Sequence, residues 1–288
     1  MNSSRIADAF ARARSERRAA FIPYLTAGDP APDATVLLAR VLEGAGADLL
    51  ELGVPFSDPI ADGPVLQRSA ARSLAAGTTL VDVYRMAEQI RRETSLALVL
   101  FSYLNPLLRR GLERAAREAR GAGFDAILVT DLPPDEGDGI QPVFRAAGLE
   151  TVFLVSPTSP ASRMSRAASL STGFLYVVSR PGTTGMRDSL PTDLPATVAR
   201  ARRAVGRAGK RPSGEAWLPV AVGFGISTPA TARLAAQLAD GVVVGSALVA
   251  AAEENERDAA GAVGRLARRL ARASRRPRAP GLKIKSPG

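Results

Sequence analysis

Glu51 and Asp62 are the residues whose type and setting best suit proton transfer. Glu51 ends an apolar run, and Asp62 follows in a loop rich in proline and glycine. A buried acid facing an acid on a loop is a common arrangement for general acid–base catalysis, because two environments give two carboxyl groups different proton affinities. Taken singly, Asp62 also suits a simple turn and Glu51 a strand-end hydrogen bond. Together they predict a catalytic pair.

The residue types that the chain lacks narrow the chemistry further. It contains no His and no Cys, so Ser-His-Asp and Cys-His nucleophiles and zinc sites with His or Cys ligands are excluded. Lys occurs only at Lys210, in a polar connection, and at Lys283 and Lys285 near the C-terminus. No lysine is therefore placed at a strand end where it could form an imine with substrate. Carboxylates and tyrosines remain for proton transfer, and no metal site is expected.

Glycines that follow the last three apolar runs form a second group. Backbone N–H groups approach a phosphate closely where glycine removes the obstructing side chain, and a helix N-terminus adds a favourable dipole. Each of these glycine segments, taken alone, could be an ordinary turn. Their recurrence after consecutive strands predicts a phosphate site that includes Gly185, Gly225, Gly245 and Ser246. The three segments are Gly182-Thr-Thr-Gly185, Gly223-Phe-Gly-Ile-Ser227 and Gly245-Ser246.

Short apolar runs alternate with longer amphipathic segments along the chain, which is typical of repeated βα units. Strands are predicted at 19–25, 48–52, 96–101, 126–129, 151–155, 174–178, 219–222 and 241–244. Helices are predicted at 33–43, 80–92, 112–120, 136–147, 160–170, 192–205 and 228–238, with an extra helix near the N-terminus. Eight such units favour an α/β fold of the (β/α)₈ TIM-barrel type over a doubly wound sheet, whose early Gly-x-Gly-x-x-Gly is missing. Active residues are then expected on the loops after the strands.

The basic charge is concentrated at the C-terminus. Residues 264–288 contain nine Arg or Lys and no acid, which leaves 29 bases against 28 acids elsewhere. We expect one barrel domain over residues 1–272 and a basic, solvated and disordered tail over 273–288, with no binding of nucleic acid. No apolar run is long enough to span a membrane, and the first 18 residues are charged, so a cytoplasmic location is expected.

Several segments together closely resemble the tryptophan synthase alpha subunit family, in register from about residue 6 to about residue 272. The most specific is Glu51-Leu-Gly-Val-Pro-Phe-Ser-Asp-Pro-Ile-Ala-Asp-Gly-Pro64. The glycine segments above agree with it. So do Pro23-Tyr-Leu-Thr-Ala-Gly-Asp-Pro30, Tyr103-Leu-Asn-Pro106 and Asp131-Leu-Pro133.

The resemblance implies a lyase that cleaves indole-3-glycerol phosphate to indole and glyceraldehyde 3-phosphate by a retro-aldol reaction. Glu51 would protonate the indole C3 carbon and help to deprotonate the side-chain hydroxyl, and Asp62 would accept the indole N–H. Substrate contacts would come from Tyr24, Tyr176, Thr184 and Phe224. The resemblance also implies that the loop 179–190 closes over the ligand.

The family further implies a partner, the tryptophan synthase beta subunit, in an α₂β₂ heterotetramer through which indole passes. No cofactor is expected in this chain, because pyridoxal phosphate belongs to the beta subunit. The contact is expected at Pro55, Asp58, Asn105, Asp131 and Pro133.

Three other interpretations remain open from the sequence. Another phosphate-handling barrel enzyme would keep the late glycines but rely on other catalytic residues, and a stand-alone indole-releasing lyase would need no partner. A scaffold or a binding module with a basic tail would release no indole at all. The sequence also departs from the family at Pro181, Thr183 and Thr130, and at the long polar connection 207–218.

Overall fold

Eight parallel strands form the centre of the computed structural model, which describes residues 4–178, 190–207, 217–223 and 225–275. Every predicted strand is present, and each boundary lies within one residue of the prediction. The strands are β1 (Ala20–Thr26), β2 (Leu49–Gly53), β3 (Ala97–Ser102), β4 (Ala126–Val129), β5 (Glu150–Val155), β6 (Leu175–Val178), β7 (Val220–Gly223) and β8 (Gly241–Val244).

The strands close into a barrel in sequence order, because β1 pairs with both β2 and β8. This arrangement confirms the predicted (β/α)₈ architecture. In such a barrel all the strands point the same way, so the loops after β1 to β8 meet at one rim. That rim carries the candidate site.

Helices cover the outside of the barrel and bury an apolar layer against the strands. They are α1 (Arg5–Ser15), α2 (Ala34–Gly44), α3 (Pro64–Ala75), α4 (Leu80–Glu93), α5 (Leu104–Arg110), α6 (Leu112–Gly121), α7 (Gly137–Ala146), α8 (Ala161–Leu170), α9 (Leu194–Arg207), α10 (Pro229–Leu238), α11 (Ser246–Glu253) and α12 (Ala259–Ala273). Helices α3, α5, α11 and α12 lie outside the predicted helical ranges. Of these, α3 and α5 lie on the functional rim, directly after the loops that leave β2 and β3.

The extra helix α1 closes the opposite end of the barrel. Ser4 caps it by accepting a hydrogen bond from the Ala7 N–H at 3.2 Å. Its Phe10 is 1% exposed and packs against Phe174 with ring centroids 5.6 Å apart. A second apolar cluster runs from Phe10 through the barrel interior to Tyr24 and Tyr176. The interior between Phe10 and the two tyrosines is therefore filled with apolar side chains.

Aspartates at the junctions between helices and strands, called junction aspartates below, link neighbouring strands at the closed end of the barrel. Asp48, Asp125 and Asp240 stand immediately before or near the start of β2, β4 and β8, and each accepts the backbone N–H of the preceding strand at 2.9 to 3.0 Å. Each is also paired with an arginine, Arg18, Arg91 and Arg202 respectively. Before β6, Thr172 accepts the N–H of Thr151 in the same way at 2.9 Å. Before each of the four even-numbered strands, a polar side chain thus accepts a backbone N–H of the strand that precedes it.

The C-terminal helix α12 reaches Ala273, and Arg275 forms an isolated antiparallel bridge with Arg18. The first three residues of the predicted tail, 273–275, therefore end the last helix and contact the barrel, whereas 276–288 lie outside the described residues. Within the described ranges, no helix combines the length and the apolar character that crossing a membrane requires.

Candidate active site

Glu51 lies in β2 with its side chain inside the barrel, on the same face as Leu49. It is 1% exposed, and its Oε1 has no hydrogen-bond partner among the described residues. Burial raises the pKa of Glu51 to about 8 because the charged form loses its hydration. At neutral pH this carboxyl is therefore mostly protonated, and it is free to give its proton to a ligand.

Asp62 lies in the loop between β2 and α3 and is 6% exposed. The Tyr103 hydroxyl donates a hydrogen bond to its Oδ2 at 3.1 Å. Burial raises the pKa of Asp62 to about 6, and the hydrogen bond from Tyr103 opposes that rise. Asp62 is thus mostly ionised at neutral pH. At neutral pH the two predicted catalytic carboxyls therefore differ in protonation: Glu51 can donate a proton, and Asp62 can accept a hydrogen bond as an anion.

Tyr24 in β1 and Tyr176 in β6 border these acids. Tyr24 is 6% exposed, and burial together with the charges of Asp62 and Glu51 raises its pKa. Burial and the charge of Glu51 likewise raise the pKa of Tyr176, which is 3% exposed. Both phenols therefore stay neutral. The structure brings Glu51, Asp62, Tyr24 and Tyr176 together at one end of the barrel.

Two glycines in the strands make room for these tyrosines. A Cβ on Gly53 would overlap the Tyr24 hydroxyl, and a Cβ on Gly223 would overlap the Tyr176 hydroxyl. The backbone at both positions is ordinary strand, so the requirement for glycine is steric. In the sequence, Gly53 lies one residue beyond the predicted strand 48–52.

The described glycines of the predicted phosphate group lie after β7 and β8. Gly225 has φ +81, a left-handed conformation that favours glycine. Gly245 precedes α11, whose first residue is Ser246, and its carbonyl accepts from the N–H of Leu248 at 2.8 Å. A Cβ on Gly245 would lie 3.4 Å from the Tyr24 ring. The start of α11 thus borders the same tyrosine as the two acids.

Three predicted site residues, Thr184, Gly185 and Phe224, lie outside the described residues, as does most of the loop 179–190. Across the described ranges, no group of three or more His, Cys, Asp or Glu side chains is arranged to hold a metal ion.

The residues predicted for the partner contact lie on the loops after β2, β3 and β4. Asp58, Asn105 and Asp131 are exposed, Pro133 is half-buried and Pro55 is buried. Asp131 also holds the fold, because its Oδ1 accepts the Leu104 N–H at 2.7 Å where α5 begins. Beside these loops is a groove of about 490 Å³ between the loop after β2 and α3. Its lining includes Phe56, Asp58, Ile60 and Leu74, and Ile60 is 80% exposed.

Tyr103 is a site residue that sequence reasoning missed. It follows β3 directly, is 3% exposed, and is the described side chain that hydrogen-bonds to the Asp62 carboxylate. The signal that could have found it is its place at the carboxyl end of a strand within the segment Tyr103-Leu-Asn-Pro106.

Comparisons with known proteins agree with this geometry. Residues 10–275 match the family described as "Tryptophan synthase alpha chain". The chain is 46% identical over 252 residues to the tryptophan synthase alpha chain of Opitutus terrae, which covers 88% of this chain and 91% of the relative. It is 47% identical over 258 residues to that of Solibacter usitatus, covering 89% and 92%.

Solved structures give the same result. A structure of Mycobacterium tuberculosis tryptophan synthase superposes with a TM-score of 0.85 at 34% identity, covering 96% of this chain and 100% of the other. The tryptophan synthase alpha chain of Legionella pneumophila superposes with a TM-score of 0.81 at 36% identity, covering 94% and 97%. The match of family, relatives and structures over nearly the whole barrel shows that this chain belongs to the tryptophan synthase alpha chain family.

Proposed function

We propose that this chain is a carbon–carbon lyase that cleaves indole-3-glycerol phosphate to indole and glyceraldehyde 3-phosphate in tryptophan biosynthesis, a reaction of the cytoplasm. The observation that carries the proposal is the pair of acids at the barrel rim. One is buried with an unpartnered oxygen and a pKa raised to about 8, and the other is held by a tyrosine with a pKa raised to about 6. The identity of the substrate is proposed from membership of the tryptophan synthase alpha chain family.

The proposed reaction uses the two acids in separate roles. Glu51 donates its proton to C3 of the indole, and the ionised Asp62 accepts the ring N–H and stabilises the positive charge that develops there. The Glu51 carboxylate then removes the proton of the side-chain hydroxyl next to C3. The bond from C3 to the side chain breaks, its electrons return to the ring, and the hydroxyl carbon becomes the aldehyde. Glu51 ends protonated, and the indole ring itself has served as the electron sink.

Tyr24 and Tyr176 are proposed to shape the indole pocket, and the glycines after β7 and β8 to bind the phosphate. A phosphate at the start of α11 would meet the N–H groups and the dipole of a helix N-terminus. Gly225, Gly245 and Ser246 supply this end within the described residues, and Gly185 is proposed to complete it. Thr184 and Phe224 are proposed to contact the substrate beside the tyrosines. Because Gly245 borders Tyr24, the phosphate and ring ends of one ligand fit the same cleft.

The proposed partner is the tryptophan synthase beta subunit, with two copies of each chain in the complex. The groove beside Asp58, with its exposed Ile60, offers apolar surface next to the loop that carries Asp62. Pyridoxal phosphate is assigned to the partner, because holding it as an imine needs a lysine. In the sequence, Lys210 lies in the polar connection before β7, and Lys283 and Lys285 lie near the C-terminus, so no lysine directly follows a strand.

The test is an indole-release assay with indole-3-glycerol phosphate, run with and without the beta subunit. Glu51→Gln and Asp62→Asn are each expected to lower kcat by about 10²-fold or more, since each removes a proton-transfer or charge-stabilising group. The matched control is Glu88→Gln, which changes an exposed glutamate of α4 in the same way and should leave kcat unaltered. Wild-type activity in Glu51→Gln would refute the assignment of the acid, and no indole from wild type would refute the function.

A further inference from the structure

Tyr103 stands at the centre of a hydrogen-bond relay in the loop that carries Asp62. Its hydroxyl oxygen accepts the N–H of Ala61 at 3.0 Å and lies 3.1 Å from Asp62 Oδ2. An amide N–H can only donate, so the lone pair of the tyrosine oxygen is used there and its proton points to the carboxylate. The relay therefore has one direction, from Ala61 through Tyr103 to Asp62.

The tyrosine itself is held on both sides of its backbone. The Ser102 hydroxyl donates to the Tyr103 carbonyl at 2.7 Å, and the next N–H, of Leu104, donates to Asp131 at 2.7 Å. Its ring also packs on Phe56, with centroids 5.0 Å apart and planes at 33°. Tyr103 thus ties the loop after β2 to the ends of β3 and β4, which are fixed parts of the barrel.

We infer that Tyr103 is a positioning residue that holds Asp62 as an oriented carboxylate, ready to accept the N–H of an indole ring. The inference rests on the proposed function. One oxygen of Asp62 is engaged by a donor that keeps its proton, which favours the charged form of the acid. Burial together with the charge of Asp62 raises the pKa of Tyr103, so Tyr103 remains a donor over the whole working range of pH.

The other charged or titratable groups around Asp62 leave Tyr103 as the donor to Asp62. Glu51 on β2 and Tyr24 on β1 are neutral at pH 7, and the charge of Asp131, after β4, acts on Tyr103 in the same sense as Asp62. Among the described residues, the hydroxyl of Tyr103 is the group whose hydrogen bond lowers the pKa of Asp62. Removing that hydroxyl should therefore shift Asp62 toward its protonated form.

The variant Tyr103→Phe tests this, since it keeps the ring on Phe56 and deletes only the hydroxyl. We expect kcat for indole release to fall about 10-fold with KM changed less than about 2-fold, and the acidic limb of the pH profile to rise by about one pH unit. Tyr84→Phe is the matched control, because it removes another buried hydroxyl, bonded to the Ala115 carbonyl at 3.1 Å between α4 and α6. Circular dichroism and thermal unfolding check that both variants fold.

A double-mutant cycle separates positioning from a structural role. If Tyr103 acts through Asp62, adding Tyr103→Phe to Asp62→Asn should lower kcat by less than about 2-fold further. Multiplying losses, or an unchanged acidic limb in Tyr103→Phe, would overturn the inference. Titration of the Asp62 carboxyl by NMR, assigned with Asp62→Asn, gives a readout that needs no substrate. It still decides the role of Tyr103 if the wild type releases no indole and the proposed function fails.

Discussion

Tyr24 stands directly opposite Glu51 in the parallel pairing of β1 with β2, and its hydroxyl fills the space left by the missing side chain of Gly53. The hydroxyl also lies 3.3 Å from the Thr26 Oγ1. The charges of Asp62 and Glu51 both act on this tyrosine, and its ring is in contact range of Gly245. One aromatic side chain thus borders both acids and the start of α11.

Gly53→Ala should damage the site without breaking the strand. The added Cβ overlaps the Tyr24 hydroxyl, so the ring must shift, and we expect kcat/KM for indole release to fall at least about 10-fold. Gly44→Ala is the control, because a Cβ there meets no atom within 4 Å. Equal activity in the two variants would show that Tyr24 has no role in the site.

A plot of kcat/KM for indole release against pH should be bell-shaped. Asp62 must be ionised, so activity rises with pH through about 6, and Glu51 must be protonated, so activity falls as the pH passes about 8. Steady-state kinetics from pH 5 to 9 measure both limbs. In Asp62→Asn the acidic limb should disappear from the residual activity while the basic limb stays. A basic limb that is unaffected by Glu51→Gln would belong to another group.

Glu51 should make the protein less stable at alkaline pH. Its folded pKa, about 8, is above the model-compound value of 4.5, so the folded state binds the extra proton between these values. Glu51 costs the folded protein no stability below about pH 4.5, where it is protonated in both states. The free energy of unfolding then falls as the pH rises toward about 8. We therefore expect the free energy of unfolding of Glu51→Gln, relative to wild type, to be higher at pH 8 than at pH 5 by on the order of 3 kcal/mol. Urea unfolding at the two pH values measures this difference. The same difference at both pH values would contradict the pKa shift.

Ser246→Asp should test the phosphate end. A carboxylate at the first residue of α11 repels a phosphate there, while the acids at the other end of the cleft are unchanged. We expect KM for indole-3-glycerol phosphate to rise about 10-fold or more with kcat changed much less. Ser246→Ala is the control for loss of the hydroxyl alone. A lowered kcat at constant KM would indicate that α11 does not hold the phosphate.

Asp125→Ala should test the junction aspartates. This carboxylate is 6% exposed, accepts the Leu98 N–H and pairs with Arg91, so removing it leaves a buried amide without its acceptor and a part-buried guanidinium without its counter-charge. The free energy of unfolding should fall by about 3–5 kcal/mol. Asp135→Ala, which breaks the exposed pair with Arg163, should cost less than about 1 kcal/mol. Chemical denaturation compares the two, and similar losses would contradict a special role for the junction.

The barrel was predictable because its signals are local and repeated. Eight apolar runs with helices between them reappear within one residue of their predicted bounds, since a strand buried on both faces reads as a continuous apolar run. The helices α3 and α5 escaped prediction. Helix α5 has seven residues and one buried side chain, and its start is held by the Asp131 carboxylate from another loop. Such support cannot be seen in the local sequence.

The sequence by itself determined the types of residue available for chemistry and the strands that carry them. With no His, no Cys and few Lys, carboxylates and tyrosines were the proton-transfer groups left, and the segment from Glu51 to Asp62 marked where they lie. Only the tertiary structure decided their states. Burial raises the pKa of Glu51, and the hydroxyl of Tyr103, 41 residues away from Asp62, opposes the same effect on that acid. Proton affinity depends on desolvation and on neighbours brought together by folding, and neither is a property of the local sequence.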